Sequence, residues 1–206
     1  MILAKDLTEV RKRDFLKNYN HYNDLNNIET KLVFGKHYDD EVFLTIILPV
    51  YDHPEEFIKR ALDSALEQKC NYLYQIIVID DYAKEKGQTV TEKYIRKLND
   101  SRVIYYKNTK NMGVFGNWNR AVSLAKSKWV SFLHSDDFLK DNYLQNMYDI
   151  IKEHPQIDQL ACNYKKLDFL NDDIDTQAEI HGKSGVKKLR KVKYTAVSYT
   201  HLTLPT

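Results

Sequence analysis

"LTIILPVYDHPEEFIKRALDSALEQK" (residues 44–69) changes its periodicity halfway through. The first part continues an apolar run that opens at Val42, "VFLTIILPV" (42–50). A near-continuous run of this kind fits a strand covered on both faces. It is far shorter than the ~18 apolar residues that suggest a spanning helix. The second part switches to helical spacing. Phe57, Ile58, Ala61, Leu62, Ala65 and Leu66 fall on one face of a helix. Asp52 and Glu55 have capping-box spacing, and Pro54 suits a first turn. A doubly covered strand feeding an amphipathic helix is half of a strand–helix–strand unit, so this stretch sets the fold class.

The same alternation recurs downstream. "QIIVIDD" (75–81), "RVIYYKN" (102–108) and "WVSFLH" (129–134) read as strands. Segments near 88–98, 116–128 and 141–153 read as helices, the last stopping before Pro155. Alternating strands and helices predict an α/β fold with a mostly parallel, Rossmann-like sheet and helices on both faces. Right-handed crossovers bring the carboxyl ends of such strands to one edge, where ligands gather. Three strand ends there carry polar or acidic residues: Tyr51-Asp52, Asp80-Asp81 and Ser135-Asp136-Asp137. One edge thus collects up to five carboxylates.

The pattern divides the chain into four parts. Residues 1–40 are polar, Asn- and Tyr-rich, and read as a helical lead-in. Residues 41–165 form the α/β domain. Residues 166–195 open an acceptor-side region or loop. Residues 196–206, which end in "VSYTHLTLPT" (197–206), read as a non-native tail, and on that reading the chain is a truncated piece of a longer protein. The hydrophobic content of 43% is that of a globular protein. A net charge of +2 gives no bulk attraction for nucleic acid. Cys70 and Cys162 lack metal-type spacing and read as reduced thiols of a cytoplasmic protein. His37, His53, His154 and His201 read as surface residues.

A lone acid after a strand commonly caps the next helix, which is the plain reading of Asp52. Two adjacent acids, twice over, ask for more. Like charges on one edge repel, and a divalent cation relieves them. Oxygen ligands suit Mg²⁺ or Mn²⁺, and Mg²⁺ typically pairs one or two carboxylates with substrate phosphates. Competing motifs are missing or weak. The first strand ends "PVYDHPEE", without the glycines of a dinucleotide fingerprint. "HGKSG" (181–185) lacks the upstream glycine of a phosphate loop, and "NMGVFGNW" reads as a turn into a helix. No G-x-S-x-G or H-E-x-x-H motif occurs.

"LTIILPVYDHPEEFIKRALDSALEQ", "IIVIDD" and "NMGVFGNWNRAVSLAKSKWVSFLHSDD", in this order, resemble the inverting family 2 glycosyltransferases of the GT-A fold. The resemblance covers about residues 42–165. It implies a donor nucleotide site made by Pro49, Tyr51 stacking on uracil, Asp52, Asp80 and Asp81 at base or ribose, and Asn117, Asn119 and Arg120 along the pocket. It also implies that His134 and Ser135 adjoin the donor and that Asp136, with Asp137 beside it, holds Mn²⁺ or Mg²⁺ on the diphosphate. His134 stands where the family often has an acid. The family's general base lies well downstream of this motif, and the acids of "NDDIDTQAEIH" (171–181) read as a polar loop, so the catalytic base is left unassigned.

The expected function is transfer of a sugar from a nucleotide-diphosphate donor, a UDP-sugar, to a glycan or lipid-linked acceptor, with inversion. One alternative is a donor-binding domain without catalysis. Another is a nucleotidyltransferase-like enzyme, although the acidic "YDHPEE" stands where such enzymes carry a glycine-rich, basic loop. The basic "KSGVKKLRKVK" (183–193) reads first as a solvated linker and second as a contact to anionic lipid at the inner membrane face.

Overall fold

All seven residues of the central strand are buried, as a strand covered on both faces must be. In the computed structural model, which describes residues 2–4, 27–81, 87–164 and 195–196, this strand lies in the middle of a seven-stranded sheet. In chain order the elements are β1 (Ile2–Ala4), β2 (Thr30–Phe34), β3 (Leu44–Val50), α1 (Glu55–Leu66), β4 (Tyr74–Asp80), α2 (Val90–Leu98), β5 (Val103–Asn108), α3 (Gly113–Leu124), β6 (Trp129–Phe132), α4 (Tyr143–Glu153), β7 (Gln159–Leu160), β8 (Asn163–Tyr164) and β9 (Thr195–Ala196).

The sheet order is β2-β5-β4-β3-β6-β1-β7. β5, β4, β3 and β6 are mutually parallel. β2 and β1 add antiparallel strands on either side of that block, and β7 pairs antiparallel with β1. The chain therefore moves outward from β3 through β4 to β5, then returns across β3 to lay down β6. The reversal puts a topological switch point between β3 and β6, where open α/β sheets bind ligands.

Strand periodicity sorts the core into two layers. Ile46, Leu48, Ile76, Val78 and Tyr105 pack with Ile58, Leu62, Ile95, Leu144 and Met147, so α1, α2 and α4 cover one face. Ile47, Ile77, Ile79, Ile104 and Phe132 pack with Ala121 of α3 on the other. Helices on both faces were expected and are found.

Three expectations change. Thr30–Phe34 is a strand paired with β5, not part of a helical lead-in, and its sheet reaches outside residues 41–165. Residues 5–26 lie outside the described residues. α3 begins at Gly113 and ends at Leu124, and β6 stops at Phe132. The capping box before α1 does not form. Pro54 is the N-cap residue, without a side-chain cap bond, while Asp52 takes φ 47°. Asp is among the few non-glycine types enriched in that left-handed region, so Asp52 serves the bend and not the cap. Ala196, the first residue of the segment set apart as a tail, pairs with Tyr164 in a two-stranded ladder, and the rest of that segment lies outside the described residues.

Candidate functional site

Pro49 opens the crevice at the switch point. Backbone groups alternate sides along a strand. The Ile47 carbonyl accepts from Leu133 N at 2.9 Å, and the Val50 carbonyl accepts from Asp81 N at 3.0 Å. Pro49 therefore turns the same way as Ile47, toward β6. Having no N–H, it cannot extend that ladder. The paired register between β3 and β6 ends at Ile47 and Phe132, while β3 and β4 stay paired through Val50 and Asp80. Two loops diverge from this point, one carrying Tyr51, Asp52 and His53, the other His134 to Asp137. Tyr51, on the first of these loops, is 43% exposed.

Asp80 and Asp81 are adjacent in sequence but serve opposite faces. Asp80 follows Val78 to the α2 side. It accepts from Thr89 Oγ1 at 3.0 Å and Tyr105 Oη at 2.6 Å, and it is buried. Burial, and then the nearby Asp80 charge, push the Tyr105 hydroxyl far above its usual ionisation range. Asp81 follows Ile79 to the α3 side. Its Oδ1 accepts from Met112 N at 2.7 Å and from Asn108 Nδ2 at 2.9 Å, where the chain enters α3. The strand's alternation thus relieves the repulsion that a cation had been invoked to relieve. Asp80 is only a minor influence on Asp81, whose carboxyl is raised mainly by burial and held back by its hydrogen bonds.

Asp81 belongs to a relay that the sequence reading did not include. Asn108 Nδ2 also donates to Asn117 Oδ1 at 2.9 Å, and Asn108 Oδ1 accepts from Thr30 Oγ1 at 2.6 Å. Arg120 Nη1 donates to Thr30 Oγ1 at 2.9 Å and to the Ile28 carbonyl at 3.0 Å. Of the residues expected along the pocket, Asn117 reaches the acid site through Asn108. Arg120 secures the start of β2, and Asn119 is exposed on α3. The available signal was the polar Lys107-Asn108 end of a strand that opens apolar.

The raised Asp81 carboxyl has a testable consequence. The folded state binds this proton more tightly than the unfolded chain. Its contribution to stability is therefore full at low pH and falls as pH rises from about 4 through the folded value. Asparagine at position 81 keeps an oxygen for Met112 and Asn108 but cannot ionise. Asp81→Asn should fold at pH 7. Its advantage over the parent should grow between pH 4 and 7 in urea unfolding. Parallel pH curves would contradict this account.

His134 to Asp137 form a turn closed by Asp137 N donating to the His134 carbonyl at 3.1 Å. Asp136 is exposed at its corner, whereas Asp137 and Ser135 are buried. The His134 ring lies 5.0 Å from Trp118, centroid to centroid. Its Nε2 is buried and bonds to none of the described residues. Burial lowers the His134 pKa, against an opposing pull from Asp136, which favours the neutral imidazole. Two side chains from the β3–α1 segment reach this turn. His53 Nδ1 hydrogen-bonds Ser135 Oγ, and Arg60 Nη2 donates to the Asp136 carbonyl at 2.9 Å. His53 is exposed, as expected of a surface residue, while still bonding Ser135; His37, also expected at the surface, is half-buried, and its Nε2 meets Tyr106 Oη at 3.1 Å.

Among the described residues, no group of three or more His, Cys, Asp or Glu side chains is arranged to hold a metal. Asp136 still offers one exposed carboxylate at the ligand edge. A single carboxylate completed by phosphate oxygens and water is an ordinary setting for Mg²⁺. The donor set therefore fits a cation that arrives with a diphosphate, and does not fit a preformed all-protein cage. Asp172, Asp173, Asp175 and Glu179 lie outside the described residues.

Residues 45–201 match the family described as "Glycosyl transferase family 2". The chain belongs to that family. Its members generally use a divalent metal. The match begins within β3 and takes in the crevice, the acid turn and residues 196–201 of the segment set apart as a tail. Family membership sets aside the nucleotidyltransferase alternative. Relatives include "Uncharacterized glycosyltransferase MJ1057" of Methanocaldococcus jannaschii, 27% identical over 59% of this chain and 41% of the relative. Another is the poly(ribitol-phosphate) beta-N-acetylglucosaminyltransferase TarP of Staphylococcus aureus, 30% identical over 54% of this chain and 33% of the relative. The crystal structure of S. aureus TarS 1-349 in complex with UDP is 24% identical over 55% of this chain and 33% of that chain, with a TM-score of 0.48. This family 2 chain thus spans less than half the length of these proteins. Among its described residues, no helix is long and apolar enough to cross a membrane.

Proposed function

We propose that the crevice between β3 and β6 is the donor site of a glycosyltransferase that takes a UDP-sugar and passes the sugar to a surface-glycan acceptor with inversion. The observation that carries the proposal is the exposed Asp136 in the turn after β6 at the switch point, with the exposed Tyr51 on the loop that follows β3. Tyr51 presents an aromatic surface for the base. Asp81, fixed by Met112 and Asn108, supplies a carboxylate whose position is set before ligand arrives. Asp136 would hold Mn²⁺ or Mg²⁺ against the diphosphate oxygens. That ion, when bound, would neutralise charge on the departing diphosphate.

The reaction is one displacement. An acceptor hydroxyl oxygen forms a bond to the anomeric carbon while the bond from that carbon to the diphosphate oxygen breaks. The bond pair leaves with UDP, the hydroxyl proton passes to a base, and attack opposite the leaving group inverts the carbon. No described residue is assigned as that base. Two relatives are named as poly(ribitol-phosphate) glycosyltransferases, which favours a surface polymer as acceptor.

The test is calorimetric titration of the chain with UDP, in Mn²⁺ and in EDTA. Binding in Mn²⁺ that weakens at least about tenfold in EDTA, a difference of ~1.4 kcal/mol, is expected. No binding would overturn the donor assignment, and equal affinity in both buffers would overturn the role of the ion.

A further inference from the structure

We infer that His53 and Arg60 are positioning residues that hold Asp136 in place from across the crevice. The inference rests on the reading of Asp136 as the carboxylate that holds the ion. Asp136 sits at the exposed corner of a turn closed by one internal backbone bond, from Asp137 N to the His134 carbonyl. A metal–oxygen contact tolerates only a small displacement of the carboxylate, so ties beyond this one bond bear on its position. The β3–α1 segment adds two ties. His53 Nδ1 bonds Ser135 Oγ, and Arg60 Nη2 bonds the Asp136 carbonyl at 2.9 Å. They grip consecutive residues of the turn, one through a side chain and one through the backbone of Asp136 itself.

Each tie is held by something further. Arg60 projects from α1, and its guanidinium lies 5.2 Å from the Phe57 ring and 5.8 Å from the Phe138 ring. That aromatic bracket restricts a long side chain that would otherwise lose much rotamer freedom on binding. His53 follows Asp52, whose left-handed φ of 47° bends the chain just before the imidazole. The unusual backbone after β3 thereby acquires a purpose: it helps aim His53 at Ser135. These ties join residues separated by 82 and 76 positions in the chain. They couple the base-side loop to the metal-side loop.

The experiment compares His53→Phe and Arg60→Met with the conservative His53→Asn and Arg60→Lys, all in the full chain. Asparagine can present its amide near the place of Nδ1, and lysine can still donate to a carbonyl. The first readout is the Mn²⁺ concentration for half-maximal UDP binding. It should rise about tenfold in His53→Phe and Arg60→Met and recover in large part in the conservative variants, a larger change than any in UDP affinity in EDTA. A general loss of structure would weaken binding in both buffers and would not be rescued in this way. The second readout needs no ligand. Amide exchange at Asp137, whose N–H closes the turn, should quicken in His53→Phe and Arg60→Met while Ile77 in β4 is unaffected. If the parent shows no Mn²⁺-dependent UDP binding, the donor-site reading fails, and the exchange data alone decide the ties. Unchanged exchange at Asp137 in both disruptive variants, or an unchanged Mn²⁺ requirement in a parent that shows one, would overturn the inference.

Discussion

Asp136→Ala should reduce UDP affinity in Mn²⁺ to the level seen in EDTA, a fall of at least about tenfold, without unfolding the chain. Asp136 is exposed at a turn corner, and surface substitutions of that kind usually change stability by no more than ~0.5 kcal/mol. Its neighbour should behave in the opposite way. Asp137 is only 3% exposed, so Asp137→Asn should lower stability more than metal dependence. Calorimetry and urea unfolding on the two variants separate the roles. Metal dependence lost in Asp137→Asn and kept in Asp136→Ala would reverse the assignment.

Gly35→Ala should be the most damaging single-methyl change in the described fold. A Cβ there would lie 2.2 Å from the Val103 carbonyl oxygen and 3.2 Å from Ile104 Cα, both backbone atoms. Gly35 also has φ 78°, where an L side chain adds strain of its own. Relief requires β2 to pull away from β5. Thr30 at the start of β2 bonds Asn108, and Asn108 bonds Asp81, so the disturbance leads toward the site. The expected cost is ~3 kcal/mol or more, a drop of roughly 6–12 °C in Tm for a chain of this size. Gly113→Ala is the control. Its φ is 71° and nothing lies within 4 Å of the added carbon, so only backbone strain of ~1–2 kcal/mol applies. Thermal unfolding followed by circular dichroism reads both. Equal losses would show that φ, and not the approach to Val103, governs position 35.

The central strands and helices were legible because their apolar residues are dense and change period cleanly. The ends of β4 and β5 were found to within a residue, and Ile58, Ala61, Leu62 and Ala65 face the core as their spacing implies. β2 was missed for a physical reason. It is an edge strand in which Lys31 and Leu32 are exposed, so its sequence lacks the pattern that burial imposes. The acids were legible as a site but not as individuals. Strand alternation, applied past the end of β4, already sends Asp80 and Asp81 to opposite faces. Nothing local distinguishes exposed Asp136 from buried Asp137. Arg120 suggested a pocket cation until β2, itself unforeseen, supplied the carbonyl and hydroxyl that it holds. His53 and Arg60 were overlooked because their partners lie far along the chain.

The claim on which the rest depends is the location of the donor. Amide-resolved NMR of the chain titrated with UDP and Mg²⁺, with Mn²⁺ then added in trace amounts, tests it directly. The largest shifts should fall at Tyr51 to His53, Asp81 and Ser135 to Asp137, and paramagnetic broadening should centre on Asp136. A second concavity, of about 750 Å³, lies at the opposite edge of the sheet, lined in part by Tyr38, Asp40, Gln75, Lys126 and Lys128. Shifts and broadening gathered there, with the β3–β6 crevice unaffected, would contradict the account.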